Sequence, residues 1–255
     1  MGAAMPRLPT TSVPSATLLP GREGVTVMPL VRGGGGLLRP RVAAGASFRP
    51  CPAGRCGRER IRGMTEIVPV TGPELVTYAD ELAALLVETV EGGSSVGFLA
   101  PLDREAAADW WRRRAALVES GDHQVWIARD DERVVGTVGL VRAPLPNARH
   151  RAEVAKLMVR PSARGLGVGR ALLTAVERSA AADGLSLLVL DTETGSLAEE
   201  LYRSAGWTEC GSIPAYAGDP SGALKATTFY YRVIGPSTGT ARQWTGTSHD
   251  RGEHA

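Results

Sequence analysis

The sequence predicts an α+β domain, a mixed, twisted central sheet flanked by helices on both faces. Three observations predict it. The 255 residues are 43% hydrophobic and 22% charged, the balance of a globular chain. Between Thr65 and Ile234, stretches of period two and period 3.6 follow one another in the order β, α, α, β, β, β, α, β, α, β, β. One of those strands, Ala152–Val159, runs into a glycine-rich turn that opens an amphipathic helix.

The elements are justified in order. Thr65–Val70 reads as a short strand. A helix follows from Pro73 to Glu91, with Leu75, Tyr78, Leu82, Leu85, Leu86 and Val90 at steps of three and four; Pro73 suits its first turn and Gly92-Gly93 ends it. Asp103 is a good N-cap for a second helix reaching Glu119, whose adjacent Trp110 and Trp111 read as a core and a surface neighbour rather than a stacking box. Strands Gln124–Ala128 and Arg133–Arg142 meet through the tight turn Asp130-Asp131-Glu132. After the loop marked by Pro144 and Pro146 come strand Ala152–Val159, helix Gly169–Ala182, strand Leu185–Asp191 and helix Leu197–Ala205. Strands Glu209–Tyr216 and Lys225–Ile234 close the domain around the turn Asp219-Pro220-Ser221-Gly222.

Residues 1–63 carry ten Arg against two acids, a net charge of +8, while the rest of the chain is −6. They are rich in Gly and Pro and hold no sustained period, so they are expected to lie outside the domain. An organelle transit peptide, a basic arm for nucleic acid and a start at Met64 each explain that composition, and the start at Met64 is the reading preferred. The domain is then 64–234 and residues 235–255 are a polar tail. Cys51, Cys56 and Cys210 form neither a disulfide framework nor a metal set, so no metal is expected. No apolar run is long enough to span a membrane, and a cytoplasmic enzyme fits best.

The chemistry resides in Val159-Arg160-Pro161-Ser162-Ala163-Arg164-Gly165-Leu166-Gly167-Val168-Gly169-Arg170. Glycines let a ligand approach the main chain, and the free N–H groups of a helix's first turn favour an anion. Pyrophosphate bound by backbone is the expectation, with Arg164 and Arg170 adding charge. A dinucleotide-type reading fails for want of an acidic residue at the usual distance, Asp191 being the nearest. A Walker loop fails because the only lysines are Lys156 and Lys225.

Arg164-Gly165-x-Gly167-x-Gly169 after the strand ending Leu157-Met158-Val159 resembles the acetyl-CoA motif of the GNAT acetyltransferases, and the order of elements resembles that fold. The resemblance implies that acetyl-CoA is the donor. It implies that Leu157, Met158 and Val159 lie along the pantetheine arm, and that Arg164, Gly165, Leu166, Gly167, Val168, Gly169 and Arg170 cradle the pyrophosphate. Ser196 joins that coenzyme-binding set. Three further segments, Leu86 to Phe98, Leu190 to Ser196 and Ile213 to Tyr216, resemble the tabtoxin-resistance type, which acetylates an amino-acid toxin. Homodimers are common in the family.

Tyr202 is the candidate acid for the leaving thiolate, in the helix where the family places a Tyr beside the sulfur. A core aromatic with a satisfied hydroxyl is the competing reading. Glu153 and Asp191 are the candidate bases, with Asp191 preferred; each also suits a cap or an ion pair. Glu88, Glu91, Ser94 and Phe98, in or beside the Gly- and Ser-rich loop, are candidates for receiving the amine of a small molecule. A protein or peptide acceptor, or a coenzyme-binding regulatory module without turnover, are the alternatives, and a nucleic-acid partner is disfavoured.

Overall fold

In the computed structural model the described residues are 59–61, 65–131 and 133–235. The arm before residue 59 and the tail after residue 235, including Cys51 and Cys56, lie outside them. Strands β1 (Glu59–Ile61), β2 (Thr65–Val70), β3 (His123–Asp130), β4 (Arg133–Arg142), β5 (Arg151–Val159), β6 (Leu187–Glu193), β7 (Thr208–Gly218) and β8 (Leu224–Val233) form one sheet in the order β1-β2-β3-β4-β5-β6-β8-β7. Every pairing is antiparallel except β5 with β6. The helices are α1 (Gly72–Thr77), α2 (Ala79–Glu91), α3 (Arg104–Glu119), α4 (Val168–Ala182) and α5 (Leu197–Ser204).

Period-two alternation sorts the core into two layers. On β3, Val125 and Ile127 point into a cluster with Leu75, Leu82, Leu86 and Trp111 from α1, α2 and α3. Trp126 and Ala128 point the other way, against Leu172, Leu173 and Val176 of α4. The helices therefore cover both faces, as the sequence predicts.

Several details differ from the sequence reading. The helix expected over Pro73–Glu91 breaks at Tyr78, which adopts φ −87°, ψ 1° between α1 and α2. A one-residue turn leaves the apolar spacing nearly in phase, so periodicity does not register it. The α1 start carries a capping box, Thr71 with Glu74. The backbone of Glu59–Ile61, upstream of the expected start at Met64, pairs with Thr65–Ile67. Trp111 and Trp110 are both buried rather than one buried and one exposed, because successive residues 100° apart both fit on the wide buried arc of α3.

The feature that positions the site is the single parallel contact. β5 and β6 pair only from Arg151–Glu153 to Leu187–Val189. Beyond that the two strands part, while β6 keeps β8 on its other side from Leu187 to Glu193. On β5, Val138 of β4 faces the two residues Lys156 and Leu157, a β-bulge, and Lys156 takes φ +55°. The bulge bends β5 away from β6 and opens a wedge between them.

Candidate active site

A cavity of about 1050 Å³ fills that wedge. Its walls come from Glu153–Val159 of β5, Asp191–Glu193 of β6, the turn before α4, one face of α5 from Leu197 to Tyr202 and the loop between α2 and α3. On the wedge side β5 has no paired strand after Glu153 among the described residues, so its main-chain edge along Leu157 to Val159 lines the cavity, with Val159 O taken by Arg164. Such a main-chain edge suits an extended amide-bearing ligand.

At one end of the cavity the turn opens α4. Gly167 is the residue before the helix, at φ +87°, with Gly165 at φ +74°. A Cβ built on either would meet nothing within 4 Å, so these glycines serve backbone conformation and open space. The first intrahelical bond runs from Ala171 N–H to Gly167 O at 3.1 Å, which leaves the N–H groups of Val168, Gly169 and Arg170 without helical partners. No side chain caps them. With the dipole of a 15-residue helix behind, free N–H groups so arranged suit an anion. Gly169 has another reason for lacking a side chain: its Cβ would come within 3.0 Å of Leu201, so α4 and α5 pack closely there. Arg164 and Arg170 are exposed beside the turn, Arg164 donating to Val159 O at 3.2 Å and Arg170 to Ser204 Oγ at 2.6 Å.

At the other end lie Glu153, Asp191 and Tyr202. Burial raises the Glu153 carboxyl above its ordinary value, and the charge of Asp191 adds to this while Lys156 and Arg151 oppose it. Asp191 presents surface to the cavity, but the sheet crowds it from behind; burial raises its carboxyl and Lys156 opposes. Tyr202 is 5% exposed, its ring tilted against Trp207 and Tyr230 at centroid distances of 6.0 and 6.2 Å. Burial, and secondarily the Asp191 charge, push its phenol far above the ordinary value.

Of the sequence candidates, the cavity wall includes Glu153, Leu157, Met158, Val159, Arg164, Gly165, Gly167, Val168, Gly169, Arg170, Asp191, Ser196, Tyr202, Ser94 and Phe98. Leu166, Glu88 and Glu91 are not on it. Leu166 points outward and Glu91 is exposed at the end of α2. Glu88 is engaged by the buried guanidinium of Arg160, which also donates to Val134 O at 2.8 Å. That ion pair ties α2 to the end of β5.

Lys156 was missed, although it is one of only two lysines and interrupts an apolar strand. Its ammonium lies 5.7 Å from the Phe98 ring centroid and 5.5 Å from that of Trp110, in cation–π range on the cavity wall. Phe98 in turn meets Trp110 edge-on at 5.3 Å. The loop that carries Ser94 to Leu99 is fastened across the cavity to the β7–β8 hairpin. Ala100 N–H donates to Pro220 O at 2.8 Å, and Ser95 Oγ to Gly218 O at 3.3 Å. No group of metal-binding side chains occurs among the described residues, and no helix among them is long and apolar enough to cross a membrane.

Comparisons with known proteins agree with this geometry. Residues 88–207 match the model of the acetyltransferase (GNAT) family. Human N-acetyltransferase 8B is 39% identical over 88 residues, which is 34% of this chain and 39% of that protein. An IAA acetyltransferase of Azospirillum brasilense is 41% identical over 27% of this chain and 45% of its own length. The chain thus spans about two-fifths of the length of these curated relatives. The solved structure of a ribosomal-protein-alanine N-acetyltransferase from Brucella melitensis superposes with a TM-score of 0.53 at 26% identity, covering 66% of this chain and 99% of that one. YncA from Salmonella typhimurium, solved with its cofactor acetyl-CoA, superposes with a TM-score of 0.55 at 20% identity over 68% and 95% of the two chains.

Proposed function

We propose, from a domain with the GNAT fold whose residues 88–207 match the GNAT acetyltransferase family model, that this chain is an acetyl-CoA-dependent N-acetyltransferase acting on the primary amine of a small molecule. The observation that carries the reading is one continuous cavity with an anion-binding helix start at one end and Glu153, Asp191 and Tyr202 at the other.

The residues present fit acetyl-CoA. The N–H groups of Val168, Gly169 and Arg170 would donate to pyrophosphate oxygens, Arg164 and Arg170 would add charge, and the edge of β5 from Leu157 to Val159 would hold the amides of the pantetheine arm. Acetyl-CoA supplies the acetyl group as a thioester; the C–N bond forms as the C–S bond breaks. The Glu153–Asp191 pair takes the proton that the attacking ammonium must lose. Of the two, Glu153 bears both burial and its neighbour's charge, so it is assigned as the proton acceptor and Asp191 as the charge that holds the amine. This reverses the preference read from sequence. Tyr202 gives its proton to the departing sulfur; burial raises the phenol, so it is protonated at neutral pH and has a proton to give.

The loop clasp supports a small acceptor. Ser95 and Ala100, bonded to the β7–β8 hairpin, tie the α2–α3 loop down beside the cavity, which favours a compact acceptor over a protein terminus or lysine that needs an open groove. The resemblance to the tabtoxin-resistance type supports including amino-acid toxins among the acceptors. The test is release of free CoA thiol with amino-acid analogues, polyamines, aminoglycosides and peptides as acceptors. Turnover restricted to peptides moves the acceptor class to proteins, and tight acetyl-CoA binding without turnover on any acceptor leaves a regulatory module.

A further inference from the structure

We propose that Glu199 is a positioning residue for Tyr202: it locks the β6–α5 connection against β8 and so fixes the phenol relative to Asp191 and the cavity. This rests on the assignment of Tyr202 as the acid. Glu199 is the buried exception on an otherwise wet helix start, its side chain 2% exposed while the adjacent Glu200 is exposed. A carboxylate so deep survives only with its oxygens filled. One oxygen accepts the N–H of Gly195 at 2.5 Å; the other accepts the Tyr230 hydroxyl at 3.0 Å and Arg203 at 2.8 Å.

The three partners lie at three places that must be held together. Gly195, at φ +81°, is in the turn that links Asp191 on β6 to α5. Tyr230 is on β8, in register with Leu190 beside Asp191. Arg203 follows Tyr202 on α5 itself. The connection has further ties, Thr194 to Thr228 at 2.7 Å and Thr192 to Ser196 at 3.2 Å, but these are hydroxyl pairs. Glu199 alone among them contributes a charge, and charge-assisted bonds are roughly twice as strong as neutral ones.

The link to Tyr202 is direct in two ways. Tyr202 lies three residues after Glu199, hence on the same face of α5. Tyr230, which donates to Glu199, also packs its ring on that of Tyr202. Burial by itself raises the Glu199 carboxyl, yet the Gly195 N–H, Tyr230, Thr228 and Arg203 bring it below the ordinary value, so it is ionised at neutral pH. The isosteric amide of a glutamine matches this ring of donors on one side only. Its NH₂ must face Gly195 N–H or the Tyr230–Arg203 pair, and the connection loosens there.

The experiment is a double-mutant cycle on the full chain with Glu199→Gln, Tyr202→Phe and both together, reading kcat and the KM for acetyl-CoA. Glu199→Gln is expected to lower kcat about tenfold or more, with KM for acetyl-CoA within about twofold, because α4 and the β5 edge are untouched. In the Tyr202→Phe background the same change is expected to cost nothing further, since the group it positions is gone. Additive losses overturn the proposal and leave Tyr202 as the acid. A silent Tyr202→Phe overturns both. Should Glu199→Gln fail to fold, Tyr230→Phe removes one donor and keeps the carboxylate; its kcat loss must likewise vanish in the Tyr202→Phe background, and additivity there is again refutation.

Discussion

Gly167 offers a quantitative test of coenzyme binding by main chain. Its φ of +87° costs an L-residue about 1–2 kcal/mol, and a Cβ there meets no atom within 4 Å, so Gly167→Ala has strain as its only structural cost. For a domain of this size that lowers the melting temperature by about 2–8 °C. The fold supplies a matched control at the far end of the same helix. Gly184, at φ +76° and also with nothing within 4 Å of its Cβ, follows α4 and is not on the cavity wall. Gly184→Ala should therefore melt at a similarly lowered temperature. Only Gly167→Ala places a methyl where pyrophosphate approaches the N–H groups of Val168 to Arg170. Its affinity for acetyl-CoA by calorimetry should fall tenfold or more, about 1.4 kcal/mol, while Gly184→Ala binds as the unchanged protein does. Equal affinities for the two variants refute the assignment of the turn.

Three further outcomes are expected. The proton acceptor must be ionised, and burial raises both Glu153 and Asp191, so kcat/KM should rise with pH through an apparent value above the ordinary 4.5 of Glu; Asp191→Asn removes a charge that raises Glu153 and should shift that limb to lower pH, whereas total loss at every pH makes Asp191 the base instead. Glu199 has a folded value below its ordinary 4.5, so its contribution to stability is complete above pH 4.5 and is lost as pH falls through the lower folded value; the melting difference between the unchanged protein and Glu199→Gln should shrink in acid, and a constant difference from pH 7 to 3 contradicts it. A chain beginning at Met64 loses the pairing of β1 with Thr65–Ile67 at the far edge of the sheet from the cavity, so it should melt a few degrees lower at unchanged turnover; lost activity shows that the upstream segment serves the site.

The fold was legible where a local pattern dictates it. Leu75, Leu82 and Leu86 betray a helix by spacing, Asp103 caps one through a 2.8 Å bond from Ala106 N–H, and the glycine turn before α4 announces its own conformation. The bulge at Lys156 was not legible. A non-glycine at positive φ is imposed by pairing with β4, and that pairing joins residues distant in sequence. The partners of Glu88 and Glu199 were not legible for the same reason: each looks like an ordinary solvated acid on a helix, and Arg160 or Tyr230 approaches it from another element. Residues of the glycine turn proposed for the coenzyme are contiguous and could be read as a unit, whereas the rest of the cavity wall draws on the α2–α3 loop, β5, β6 and the β7–β8 hairpin, and no window of sequence contains it.

The most direct test of acetyl transfer is the rate of CoA thiol release, with the amine panel as acceptors, for the unchanged chain and Tyr202→Phe. The phenylalanine keeps the ring against Trp207 and Tyr230, so stability should fall by no more than about 1 kcal/mol, while turnover on a small amine drops by about 10²–10⁴. Thiol release that never exceeds the rate without acceptor contradicts catalysis by this chain, and near-equal rates for the two proteins contradict Tyr202 as its acid.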